Sequence, residues 1–134
     1  MAQQTFQRSD IYRDFDLSMS RNPLTNDISK KTDINSINQS LKMLFNTYFY
    51  ERPFRPQIGA NVRALLFEPV DIITIMDIKS AIEETIINNE PRVNIRDVKI
   101  RDLPNNNAYS VFLEYTIVNT REAKEIEFTL KRLR

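Results

Sequence analysis

At Pro91 the spacing of apolar residues changes from intervals of three and four to simple alternation, which leaves the chain few folds to choose from. Upstream, Ile34, Ile37, Leu41, Leu44, Phe45 and Tyr48 recur at helical spacing and predict a helix over about 34–50. Asp33 stands where an N-cap belongs, with a short carboxylate able to accept from first-turn amides. A second helical stripe runs through Ile75, Ile78, Ile82 and Ile86. Thr74 and Asp77 resemble a capping box at its start, and Pro91 ends it near Asn89. Downstream, Val98 and Ile100 alternate with Lys99 and Arg101, then Tyr109, Val111, Leu113, Tyr115 and Ile117 share one parity. Ile126, Phe128 and Leu130 do the same in a last segment, while Pro104 to Asn107 supplies turn chemistry. Three consecutive strands in meander order should pair antiparallel.

The rest of the chain fits around these elements. Ile11, Phe15 and Leu17 share a parity and predict a short strand. After a turn at Arg21-Asn22-Pro23, residues 28–31 return as the second arm of a hairpin. Arg52-Pro53-Phe54-Arg55-Pro56 breaks any helix, Gly59 punctuates the loop, and Asn61 to Phe67 can form a short helix exposing Arg63. The expected fold is α+β. It has an N-terminal strand or hairpin, two main helices plus a short one, and a C-terminal three-stranded antiparallel meander. Residues 1–10 are expected to be a flexible segment ahead of one domain over 11–134, since 134 residues supply one core.

Composition removes most catalytic chemistry. There is no Cys and no His, so thiol nucleophiles, disulfides, His-based triads and histidine-bearing zinc sites are excluded. One glycine in the whole chain rules out a glycine-rich phosphate loop. Lys and Arg number 19 against 18 Asp and Glu, a balance that argues against a nucleic-acid-binding role. Tyr48, Phe49 and Tyr50 could stack on bases, but no basic excess accompanies them. No segment resembles a spanning helix or a signal peptide, so a soluble protein made in a cytoplasm is expected.

Three segments in order carry a more specific message: Arg52-Pro53-Phe54-Arg55-Pro56-Gln57-Ile58-Gly59, then Leu65-Leu66-Phe67-Glu68, then Asn89-Glu90-Pro91-Arg92. Together they resemble the small wedge protein of T-even-type phage baseplates, a family once labelled baseplate lysozyme that includes wedge-like subunits of type VI secretion systems. The resemblance covers roughly residues 11–133. The chain carries Arg55 and Gln57 where the family more often carries acidic residues, so no charge-specific contact is carried over to that loop.

The resemblance implies a structural, non-enzymatic subunit of the virion's contractile tail baseplate, assembled in the host cytoplasm in several copies per particle, with no cofactor. Implied partners are other wedge proteins, the tail sheath by strand addition, and tail tube or hub proteins, with no nucleic acid and no membrane. Carried over residue by residue, Glu90, Pro91 and Arg92 contact the neighbouring wedge. Arg52, Pro53 and Phe54 form a second contact, and the strand bearing Ile126, Phe128 and Leu130 offers a sheet edge. Lys131, Arg132 and Arg134 would discourage indiscriminate pairing there. Read without the family, Glu90-Pro91-Arg92 is more often only a helix stop with an internal ion pair, and Arg52-Pro53-Phe54 more often a loop anchored by its Phe. The alternative function is a peptidoglycan hydrolase working with a carboxylate pair, drawn from Glu51, Glu68, Glu83, Glu84 and Glu90.

Overall fold

The computed structural model describes residues 12–118 and 122–132. The expected segment 1–10, Ile11 and Arg134 lie outside the described residues. The chain divides into two compact units, with the boundary between Ser40 and Leu41, inside the first helix.

In the first unit, β1 (Arg13–Phe15) pairs antiparallel with β2 (Lys30–Thr32), register Arg13↔Thr32 and Phe15↔Lys30. The hairpin is shorter than the alternation suggested. Phe15 and Leu17 are exposed, so their shared parity does not mark a buried face. The turn uses Asn22 as expected: its side chain accepts from the Leu24 amide at 2.9 Å, and Asn26 takes a left-handed φ of 57°. Helix α1 (Asp33–Asn46) begins directly after β2. Its first turns are tied to the hairpin, because Ser36 donates to Asp14 at 2.6 Å and the Gln39 amide nitrogen donates to Phe15 O at 2.8 Å.

In the second unit, α1 ends at Asn46, earlier than 50. The Thr47 amide turns back to Leu44 O at 3.3 Å, and the Thr47 hydroxyl donates to Met43 O at 2.8 Å, satisfying end carbonyls. A loop leads to the short helix α2 (Val62–Leu65). Here Arg63 is half-buried over the Tyr48 ring, with Cζ 4.4 Å from the ring centre, and donates to the Tyr48 hydroxyl. The expected exposure of Arg63 is corrected by this stacking, which gives the guanidinium an aromatic seat.

Helix α3 (Ile72–Asn89) starts ahead of Thr74. Asp71 is the N-cap, accepting from the Ile72 amide at 2.6 Å, whereas Thr74 is buried. Ile78, Ile82 and Ile86 have no exposure and form the inward stripe, packed toward β3 and α2. The sheet runs β3 (Val93–Leu103), β4 (Ala108–Ile117), β5 (Ala123–Lys131), antiparallel throughout, with β4 central. Pro104–Asn106 forms a 3-10 turn between β3 and β4, and Asn107 takes the left-handed φ of 48° that the tight return requires. On the inner face Tyr109, Val111, Leu113, Tyr115 and Ile117 are buried, which makes β4 the centre of the core. The α+β class, the hairpin, the three helices and the meander all match the sequence expectation. No helix among the described residues is long and apolar enough to cross a membrane.

Candidate functional site

The corner after α3 is built by main chain first. The Glu90 amide closes the helix on Ile86 O at 2.8 Å, and Pro91 has no amide with which to continue it. The Val93 amide then returns to Glu90 O at 3.3 Å, and Val118 donates to Arg92 O at 3.1 Å, tying the corner to the end of β4. Side chains complete it. Arg92 Nε donates to Glu90 Oε1 at 2.6 Å and a terminal nitrogen donates to Oε2 at 2.8 Å. The Glu90 side chain is 5% exposed and that of Arg92 24%. Both charges of the segment thus face each other, and what the corner turns outward is Pro91, which is exposed. The internal ion pair weighed from sequence is present in the structure. A planar fork on a carboxylate is the geometry in which a buried pair can compensate its own desolvation.

The loop between α1 and α2 is held at its neck and bare at its tip. Ala60 donates to Thr47 O at 3.0 Å, Tyr50 to Pro56 O at 2.9 Å, and the Tyr48 amide to Glu51 Oε2 at 2.8 Å. Gly59 makes this neck possible. A Cβ there would stand 2.6 Å from the Tyr48 carbonyl carbon, closer than any side chain is tolerated. Beyond the neck Arg52, Pro53 and Phe54 are all exposed. Phe54 is fully exposed at φ 66°, a backbone region that bulky residues seldom occupy. Its ring therefore anchors nothing within the described residues, and the reading of a loop pinned by its Phe does not describe this one.

The third predicted group sits differently. Ile126 and Leu130 are buried and Phe128 stacks on Phe45, with ring centres 4.6 Å apart and planes at 15°. These side chains belong to the core of their own chain. What β5 presents outward is its main chain, since β4 pairs with one side only and no strand among the described residues pairs with the other.

Two features escaped the sequence reading. Ile72, Ile73 and Met76 are exposed in the first turns of α3, as is Phe67 ahead of it. The apolar residues Ile72, Ile73, Ile75 and Met76, four of five consecutive positions, were the available signal, because a helix cannot bury all of them on one side. Tyr50, 85% exposed at φ 66°, is the other; an aromatic run of three following a helix gave no indication which member would point outward.

Three of the five carboxylates named for hydrolysis already have partners. Both oxygens of Glu90 accept from Arg92, Glu83 pairs with Lys79 at 3.9 Å, and Glu51 accepts from the Tyr48 amide. Among the described residues no group of three or more acidic side chains is placed to hold a metal ion.

Comparison with other proteins places these features in context. Residues 31–122 match the family model described as baseplate wedge protein gp25. The chain is 26% identical over 121 residues to the baseplate wedge protein gp25 of Enterobacteria phage T4, covering 90% of this chain and 91% of that protein. Among solved structures it is similar to a Geobacter sulfurreducens protein given the working name tail lysozyme, with TM-score 0.69, 20% identity, and coverage of 73% of this chain and 89% of that one. It is also similar to a chain in the anti-feeding prophage baseplate, with TM-score 0.63, 21% identity, and coverage of 92% and 87%. A chain in the postcontracted pyocin R2 baseplate has TM-score 0.52 at 12% identity, with coverage of 84% and 96%. At such identities the structures share a fold; activity does not transfer with it.

Proposed function

The chain belongs to the baseplate wedge protein gp25 family, and from that premise we propose that it acts as a rigid, non-enzymatic adaptor joining wedge proteins and receiving the first sheath ring. Its role is that of a structural baseplate protein of a contractile tail, and its place is the virion. The finer assignment concerns which surfaces meet which neighbours.

The observation that carries this reading is Phe54, fully exposed at the tip of a loop whose neck is closed by three hydrogen bonds. A stiffly presented aromatic loses little freedom on docking and is the kind of residue that concentrates binding energy. Arg52 and Pro53 flank it. Pro91 supplies a second rigid projection, with Glu90 and Arg92 acting as the brace that fixes its direction. The open side of β5 suits addition of a strand from the sheath. Its inward Ile126, Phe128 and Leu130 support the strand from behind. Tube or hub proteins complete the proposed neighbourhood.

Glu90 does not suit the hydrolase alternative, since neither of its oxygens is left to protonate a leaving group. The proposal is tested by reconstituting wedges and growing sheath on them, with hydrogen exchange followed along residues 123–131. Phe54→Asp should abolish incorporation into the wedge, and β5 amides should gain protection only when sheath is added. Incorporation of Phe54→Asp at the normal level would overturn the loop assignment. Unchanged exchange in β5 after sheath growth would overturn the strand assignment.

A further inference from the structure

The loop after α1 and the C-terminal half of α3 enclose an open cleft of about 580 Å³. Phe49 and Tyr50 line it from the loop, and Glu84, Asn88 and Asn89 from the helix. No Lys or Arg lines it, and Glu84 is its one carboxylate. Glu84 differs from its neighbour: Glu83 is paired with Lys79, whereas Glu84 makes no hydrogen bond or ion pair among the described residues. Two polar side chains on the helix side have their donors already engaged. The Asn89 side-chain nitrogen donates to Thr85 O at 2.8 Å, and the Thr85 hydroxyl is turned to Ala81 O at 2.6 Å.

A single carboxylate and two aromatic rings lining one cleft, with no cation among them, match one side-chain chemistry well. A guanidinium is planar, carries only donors, pairs with carboxylates and stacks on aromatic faces, where an ammonium would lose the stacking. We propose that this cleft receives an arginine side chain from an exposed segment of a neighbouring protein, with the guanidinium paired to Glu84 and stacked against Phe49 and Tyr50. Arg52 and Arg55 stand on the same loop without lining the cleft, so they weaken long-range attraction and recognition rests on contact. The site uses neither the loop tip 52–54 nor the corner 90–92, and holds or fails independently of the roles assigned to them.

The test is a titration of the full-length, nitrogen-15-labelled chain with the blocked tripeptide acetyl-Ala-Arg-Ala-amide, followed by amide chemical shifts. Shifts should concentrate at Phe49, Tyr50, Glu84 and Asn88. The apparent Kd should rise about fivefold or more in Glu84→Gln, and by a similar factor when citrulline replaces arginine in the peptide. Glu84 is exposed on the helix, so its conservative replacement leaves the fold in place, and Tyr50→Ala, equally exposed, should weaken binding independently. Absence of shifts at these residues, equal binding of the citrulline peptide, or an unchanged Kd in Glu84→Gln would each overturn the proposal.

Discussion

The backbone of Gly59 passes so close to Tyr48 that a methyl group at position 59 would stand 2.6 Å from the Tyr48 carbonyl carbon and 2.8 Å from its oxygen. The obstructing atoms are main chain, so no rotamer change relieves them. Gly59→Ala should therefore open the neck of the 47–60 loop and lower the unfolding free energy by about 2 kcal/mol or more, measured by urea denaturation. A midpoint equal to that of the native chain would mean the neck is not held as described.

Removing the guanidinium from the corner should be costly before any partner is involved. Arg92→Ala leaves the Glu90 carboxylate buried without its fork, a loss of about 3–5 kcal/mol. Replacing both residues by Met should recover most of that stability, because no charge then needs compensation. A double-mutant cycle in denaturant checks this. If the single and double variants were equally destabilised, the pair would not be acting as a brace.

Phe54 gives the cleaner separation of folding from assembly. Phe54→Ala should change stability by no more than about 0.5 kcal/mol, since the ring contacts solvent. Affinity for the wedge should nevertheless fall by about 2 kcal/mol, the scale of an interface anchor. Equilibrium unfolding and a wedge-binding titration on the same preparation measure the two effects side by side.

Tyr115 sets an alkaline limit. Burial in the sheet core pushes its hydroxyl from the ordinary 10.0 up to about 12, and burial raises Tyr109 in the same direction. Between pH 10 and about 12 the unfolded chain releases the Tyr115 proton while the folded chain keeps it. Stability is therefore whole below pH 10 and declines as pH climbs toward 12, by on the order of 2–3 kcal/mol for this residue. Tyr115→Phe should flatten the decline, read as denaturation midpoints on either side of pH 10.

Much of this architecture was legible in the residues because periodicity reports burial. Ile78, Ile82 and Ile86 were identifiable as an inward stripe, and the alternation from Tyr109 to Ile117 as one face of a strand. Misreadings came where burial and pattern part company. Thr74 looked like a cap because it precedes the stripe, yet the helix begins three positions earlier and spends Ile72 and Ile73 on solvent. Phe15 and Leu17 alternate correctly and are exposed all the same. The pairing of Glu90 with Arg92 two residues on was one of the readings their spacing offered, whereas the contact of Gly59 with Tyr48 and the bareness of Phe54 depend on where the chain returns in space. Local spacing carries no trace of that.

The free margin of β5 has a consequence for divergence. Ile126, Phe128 and Leu130 are committed to the interior, so a strand laid alongside would meet amides and carbonyls, which every amino acid except proline supplies alike. Such a junction is indifferent to most substitutions that keep the strand's length and inward parity. Two tail components could then drift far apart in sequence without losing the ability to join.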